Sequence, residues 1–432
     1  MIEIALLAIA ALVVTLSFGV PLPWCFGAAL MVMYYLGDVT MKGMVLWGFQ
    51  QLGNPVLLAI PLFVLAGAVM SESGIAASLL RFVNAFVGHV RGGLGIVAAV
   101  SCAVIGAISG SGLTGISAIG PLLIPEMEKR GYPREYATAL IANSSILGLL
   151  IPPSLSMILF GWVTETSILA CFLATLGPGL LIMFNFSVVN LWMSRKFNLV
   201  LDEKPALGEL AGEVARRGVH AFPAMLMPVI ILGGIYGGIV TPTEAAALAV
   251  IYAVPVGFLV YKGLKLENFL FAGKEAATAV GAIMLMILFS MIVGQMFVYE
   301  GIPQQIVQAI FGITENKVLL LILINLLLFL IGMVVNDTTA ILLVAPLLMP
   351  LMQAMDVSPV QFAAIMGVNT AMGGVTPPYA SILYLGARIG KVKVTKVIPP
   401  AMMLIVTGYL PVVFLTSFWP DLSLYLPRLF GY

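Results

Sequence analysis

Residues 111–161 align with residues 336–386 at a constant offset of 225, without a gap, and 13 of the 51 pairs are identical. Self-similarity of this kind means that one supersecondary design is used twice, so any fold must satisfy both copies. The identities fall on residues that direct the backbone. PLLIP at 121–125 pairs with PLLMP at 346–350, and Pro152-Pro153 with Pro377-Pro378. Thr114 pairs with Thr339, Gly148 with Gly373, Ser156 with Ser381 and Gly161 with Gly386.

The solvent of this fold follows from composition. Hydrophobic residues make up 61% of the 432, and Asp, Glu, Lys and Arg only 9%. Soluble domains carry roughly 25% charged residues, so this chain cannot cover a water-facing surface. A soluble enzyme and a disordered chain are both excluded. The net charge of +1 argues against a nucleic-acid partner. Apolar segments fall at about 4–20, 22–36, 55–70, 94–108, 135–161, 168–193, 221–240, 244–261, 276–298, 318–335, 360–387 and 398–418. This spacing predicts an all-α polytopic membrane protein. The N-terminal run has Glu3, no basic residue and no evident cleavage site, and reads as a retained first helix.

Charges do not follow the repeat. The turn after the first PLLIP carries Lys129, Arg130 and Arg134, whereas the equivalent turn around Asp356–Ser358 has no basic residue. After the double prolines the bias reverses: Glu165 alone follows the first, and Arg388, Lys391, Lys393 and Lys396 follow the second. Basic loops stay cytoplasmic, so the two copies are expected to lie in the membrane in opposite senses. Inverted repeats of this sort are a signature of secondary transporters. The same rule places Arg81, Arg91, Arg195, Lys196, Arg216, Arg217, Lys262, Lys265 and Lys274 on the cytoplasmic side and the N-terminus outside.

Each copy is interrupted twice. The first interruption is a small polar tip, Ser109–Thr114 in one copy and Asn336–Thr339 in the other. Its flanks are short for full crossings and predict a re-entrant hairpin, whose tip must meet protein or water at membrane depth. Such tips are expected to meet at the protein's centre. The second interruption, Asn143–Ser154 and Asn369–Pro378, combines glycine with tandem proline and predicts a broken helix with freed carbonyls facing a cavity. Carbonyl, hydroxyl and amide oxygens suit a small cation, and half-helix N-termini suit a carboxylate. Asp337, acidic inside a hydrophobic segment, reads either as a functional carboxylate or as a cap on the hairpin helix. Cys25, Cys102 and Cys171 read as small buried thiols, and His89 and His220 lack ligand-spaced neighbours. Glu244 in TPTEAAA reads as a helix N-terminal charge, and 194–219 as either a connecting loop or an arm along the bilayer.

The stretches SGSGLTGISAIGPLLIPEMEKRGYPREYATALIANSSILGLLIPPS, NDTTAILLVAPLLMP and GGVTPPYASILYLGARI resemble the large membrane subunit of tripartite ATP-independent periplasmic (TRAP) transporters, as do PLFVLAG at 61–67 and GGIYGGIVTPTEAAA at 233–247. The resemblance covers nearly the whole chain. It implies a sodium-driven importer of organic acids in the bacterial inner membrane, such as a C4-dicarboxylate or sialic acid. The resemblance further implies a periplasmic binding protein that delivers the cargo and a separate small four-helix subunit, expected not to be fused here, that braces the permease. No cofactor is implied beyond sodium as coupling ion.

The implied mechanism is an elevator. Residues 93–165 and 301–390 carry the hairpins and broken helices. They move against scaffold helices at 1–92, 166–220 (with the connector) and 221–300, and residues 391–432 form a C-terminal helix. Carried over, one sodium site comprises Ser109, Ser111, Asn143, Gly148 and Pro152, and the other Asn336, Asp337, Gly373, Val375 and Thr376. The substrate carboxylate lies near Ser111, Gly112, Thr114, Ser144 and Thr339, with helix dipoles and sodium neutralising it in place of a basic clamp. Competing readings are a stand-alone sodium–anion symporter and a membrane enzyme. The second lacks a histidine near Ser109 or Ser111.

Overall fold

The computed structural model describes residues 2–37, 41–200, 207–312 and 314–432. The described residues are helical and turn segments, with no strand among them. The first repeat runs through α1 (Ile2–Ser17), α2 (Leu22–Leu36), α3 (Met41–Leu52), α4 (Ala59–Glu72) and α5 (Ile75–Val87) to the hairpin α6 (Gly93–Ser109) and α7 (Gly112–Lys129). The broken helix follows as α8 (Arg134–Ser145), the single turn α9 (Leu147–Leu150) and α10 (Leu155–Val163), then α11 (Ile168–Ser194). The second repeat is α12 (Leu207–Tyr236), α13 (Pro242–Pro255), α14 (Leu266–Tyr299) and α15 (Ile302–Phe311). Its hairpin is α16 (Lys317–Gly332) and α17 (Asp337–Ala354), and its broken helix α18 (Pro359–Gly373) and α19 (Ser381–Ile389). The chain ends in α20 (Val394–Leu404), α21 (Leu410–Phe418) and α22 (Asp421–Leu429).

Helix boundaries carry the offset of 225 far beyond the aligned stretch. Helices α7 and α17 coincide at both ends, α8 and α18 start in register, and α5 matches α15. Other elements differ: α3 and α4 are separated by residues 53–58, whereas their counterpart α14 is continuous over 34 residues. Helices α3, α5, α15 and α22 lie outside the twelve apolar segments, because each buries one face only. The polar stretch after Ser194 is turn and loop as far as Val200 and helix from Leu207. Val200 N–H bonds the Arg130 carbonyl at 3.0 Å, and residues 207–219 are the opening turns of α12. Asp202, Glu203 and Lys204 lie outside the described residues.

The broken helices occupy the centre. In the apolar window of Arg134–Val163, 83% of residues are buried, against 28% for Ala211–Tyr236. Every residue of α18 from Gln361 to Gly373 is buried. The two repeats interlock through their half-helices, since α10 packs on α17 and α19 packs on α7. Helix α11 packs against α6 and α18, whereas α2, α4, α13 and α14 pack on one another, with α4 also touching α6 and α14 also touching α17. Among the described residues, eight helical stretches are long and apolar enough to cross a membrane.

Candidate functional site

The first hairpin turns on Gly110, whose φ of +62° belongs to the left-handed region and whose N–H closes on the Gly106 carbonyl at 2.7 Å. A residue with a Cβ is strained there. The Ser109 hydroxyl lies 3.4 Å from both the N–H and the carbonyl of Ser111, so it staples the tip to itself. The second hairpin turns without glycine. Asn336 caps α17, its side-chain oxygen accepting from Thr339 N–H at 3.0 Å, and Asp337 is the first residue of the helix. The Ser156 hydroxyl, just beyond the first break, donates to the Asp337 carboxylate. That bond joins the two repeats.

Each hairpin's first helix rests backbone-on-backbone against its own broken helix. A Cβ placed on Gly148 would stand 2.8 Å from Gly106 Cα and 2.9 Å from the Ser111 carbonyl oxygen. A Cβ on Gly373 would stand 2.0 Å from the Gly332 carbonyl oxygen. Both double-proline bonds, Pro152-Pro153 and Pro377-Pro378, are cis. In the second break three carbonyls are taken up by nearby N–H groups. Gly373 accepts from Thr376 N–H, Gly374 from Ile382 N–H and Thr376 from Ala380 N–H, at 3.1, 2.9 and 3.2 Å. A turn that lacks proline donors is closed by the residues on either side of it.

The tips meet. A cavity of about 80 Å³ is lined by Ser111, Gly112 and Leu113 from the first hairpin and by Asn336 and Asp337 from the second. Its remaining wall is Leu149 from the first break and Thr370, Gly374, Tyr379, Ser381 and Ile382 from around the second. Among the described residues no Lys, Arg or His lines it. A larger groove of about 830 Å³ runs between α4, α14 and α7, and carries the Ser109, Ser111, Thr114 and Ser117 hydroxyls with Glu72 and Glu275.

Buried oxygens without partners sit beside the breaks. Asn143 donates its amide to the Ala139 carbonyl at 2.9 Å, but its Oδ1 accepts nothing, and neither the Ser144 hydroxyl nor Asn369 Oδ1 has a partner. An unsatisfied buried acceptor is destabilising by about 1–3 kcal/mol unless something binds it. Hard monovalent cations bind such oxygens, and the described residues hold no cluster of three His, Cys, Asp or Glu that suits a transition metal. Oxygens of this kind are ligands that a hard monovalent cation such as sodium accepts.

Of the sites expected from sequence, the fold brings Ser109, Ser111 and Gly148 together at one tip, and Asn336 and Asp337 at the other. Pro152 lies in that first break, whose Pro153 carbonyl lies against Gly110. Gly373, Val375 and Thr376 form the turn of the second break, and the Thr376 hydroxyl donates to the Met372 carbonyl at 2.8 Å. Ser111 and Gly112 face the cavity, whereas Thr114 faces the larger groove. Thr339 is fully buried against Met286 Sδ at 2.9 Å, and Ser144 is buried away from the cavity lining. Sequence reasoning missed Tyr379 and Ser381, although the Ser156–Ser381 identity in the repeat was a signal pointing to that position.

The family model of the tripartite ATP-independent periplasmic transporter, DctM component, matches residues 9–421. The chain belongs to this family. It is 35% identical to the sialic acid TRAP transporter large permease protein SiaM of Vibrio cholerae, over 89% of this chain and 90% of that one. Identity to the C4-dicarboxylate large permease DctM of Pseudomonas aeruginosa is 33%, over 89% and 88%. The isethionate permease DctMQ of Oleidesulfovibrio alaskensis is 33% identical over 91% of this chain, which spans only 63% of that longer protein. The fold is also that of the Alcanivorax borkumensis YdaH transporter, with a TM-score of 0.57 at 17% identity, covering 91% of this chain and 90% of that one. This TRAP large permease is thus a multi-pass inner-membrane transporter subunit and not an enzyme.

Proposed function

We propose that this permease couples sodium entry to the import of an organic acid anion, handed over by a periplasmic binding protein, with a small four-helix membrane subunit bracing the scaffold. The cavity in which Ser111–Leu113 and Asn336–Asp337 meet supports this reading more than any other observation. The uncapped N-terminus of α7 at Gly112 offers N–H groups to an anion, and oxygens beside the breaks offer ligands to a cation. Loading the two together lets each neutralise the other in a cavity without a basic residue. The anion belongs to a class that includes C4-dicarboxylates and sialic acid, the cargoes named for two relatives.

Opposite charge flanks on the two repeats support an inverted arrangement, and the interlocked hairpins and half-helices support their movement as one block past α2, α4, α13 and α14. The larger groove then lies along the sliding interface. No cofactor other than the coupling ion enters. Reconstituted permease, small subunit and binding protein should accumulate the anion under an inward sodium gradient. Equal uptake in potassium would remove the coupling, and equal uptake without the binding protein would favour a stand-alone symporter.

A further inference from the structure

The two double-proline breaks present three corresponding residues each: Ser154, Leu155 and Ser156 against Tyr379, Ala380 and Ser381. In the first copy both hydroxyls are engaged by protein. Ser154 donates to the Leu149 carbonyl at 2.6 Å, and Ser156 donates to Asp337 across the repeats. For Ser381 of the second copy, the residue that would stand in Asp337's place is Gly112 of the first copy, which offers no side chain. A Cβ there would stand 2.6 Å from Ile382 Cδ1, so a side chain at this position would crowd the cavity wall. Gly112, Tyr379 and Ser381 all line that cavity. Ala380 between them takes φ 33° and ψ 41°, a left-handed backbone, and the Tyr379 N–H is fixed on the Met333 carbonyl at 3.0 Å.

We propose that Tyr379 and Ser381 are specificity-determining residues, which hydrogen-bond a neutral polar group of the cargo beside its anionic head. The asymmetry between Asp337 and Gly112 closes one of two equivalent positions and leaves the other for a ligand. With no basic residue in the cavity, discrimination among acids falls to hydroxyl donors and acceptors, and a site built to hydrogen-bond a polar group rejects analogues lacking it. This inference rests on the reading of the tip cavity as the cargo site.

The test uses the full chain with its partner proteins in proteoliposomes and a panel of succinate, isethionate, N-acetylneuraminate and ectoine. With the anion that the wild type accumulates, Tyr379→Phe should raise the half-saturating concentration about tenfold, the loss expected for one hydrogen bond, and leave sodium activation unchanged. The three native cysteines are buried, so Ser381→Cys and Ser154→Cys can be labelled singly by an anionic methanethiosulfonate. Cys at 381 should react at least tenfold faster, and the transported anion with sodium should protect it. Equal labelling at the two positions, no protection, or an unchanged half-saturation in Tyr379→Phe would each overturn the inference while wild-type uptake persists. Loss of sodium-driven uptake of every panel member by the wild type would instead strike the functional reading itself.

Discussion

A Cβ placed on Gly106 would stand 2.1 Å from the Cα of Gly148, so the first helix of the hairpin and the break in the neighbouring helix touch through bare backbone. Gly332 and Gly373 repeat the contact in the second copy, one position out of strict register. The tip position depends on this approach, because it brings the Ser111 carbonyl onto the Gly148 backbone. We expect Gly148→Ala and Gly106→Ala to destabilise the protein by about 1–3 kcal/mol, the usual consequence of overpacking. A melting transition in detergent lowered for both, but unmoved for Gly208→Ala, where a Cβ meets nothing within 4 Å, is the expected result.

The Ser156–Asp337 bond separates two roles for the carboxylate. Asp337→Asn keeps an oxygen for the Ser156 hydroxyl and removes the charge, whereas Ser156→Ala keeps the charge and removes the bond. If the charge serves the cation, Asp337→Asn loses most sodium activation with little change in melting, and Ser156→Ala largely retains it. Sodium titrations of uptake on both variants give the answer. A carboxylate that only holds the repeats together predicts the reverse order.

Opposed repeats make a topological prediction. Lys129 and Asp356 are both exposed and lie at corresponding ends of the two repeats, Lys129 at the end of α7 before the turn to α8 and Asp356 between α17 and α18. A cysteine at 129 should react with an impermeant reagent only from the cytoplasmic side, and one at 356 only from the periplasmic side. Labelling of both from one face of oriented vesicles would refute the inversion.

Much of this was legible in the primary structure, and for a physical reason. Segment 22–36 is helix α2 to the residue, because a lipid-facing helix must be apolar throughout. Glu244 was readable as a helix N-terminal charge because TPTE is a capping box: Thr241 N–H bonds the Glu244 carboxylate at 2.8 Å, and Glu244 N–H bonds the Thr241 hydroxyl at 3.3 Å. The tips and breaks were legible because glycine, proline and small polar residues have few other uses at that depth. Helices α5 and α15 were not, since one buried face gives no long apolar run. Nor were the partners of Thr339 and Ser144. Spacing says which residues sit at a tip, but which way a hydroxyl turns is decided by neighbours such as Met286, 53 positions away.

The two buried asparagines allow the sodium reading to be tested by stability alone. Asn143 and Asn369 each leave an oxygen without a partner, yet their amides differ. Asn143 donates to the Ala139 carbonyl of its own helix. Asn369 also donates to Asn325 Oδ1 at 2.7 Å, and Asn325 is tied to the Ser417 hydroxyl at 2.8 Å. Replacing a buried polar group by an apolar one of similar shape is near neutral when no partner is stranded, and destabilising when one is. In sodium-free buffer, Asn143→Leu should therefore melt at or above the wild type, and Asn369→Leu should lose about 1–3 kcal/mol. A ligand that binds the native state raises its melting point through its own affinity. Wild-type protein should gain stability on sodium addition, and Asn143→Leu should lose most of that gain. A sodium-induced shift of equal size in Asn143→Leu and wild type would remove the Asn143 oxygen from the cation's coordination.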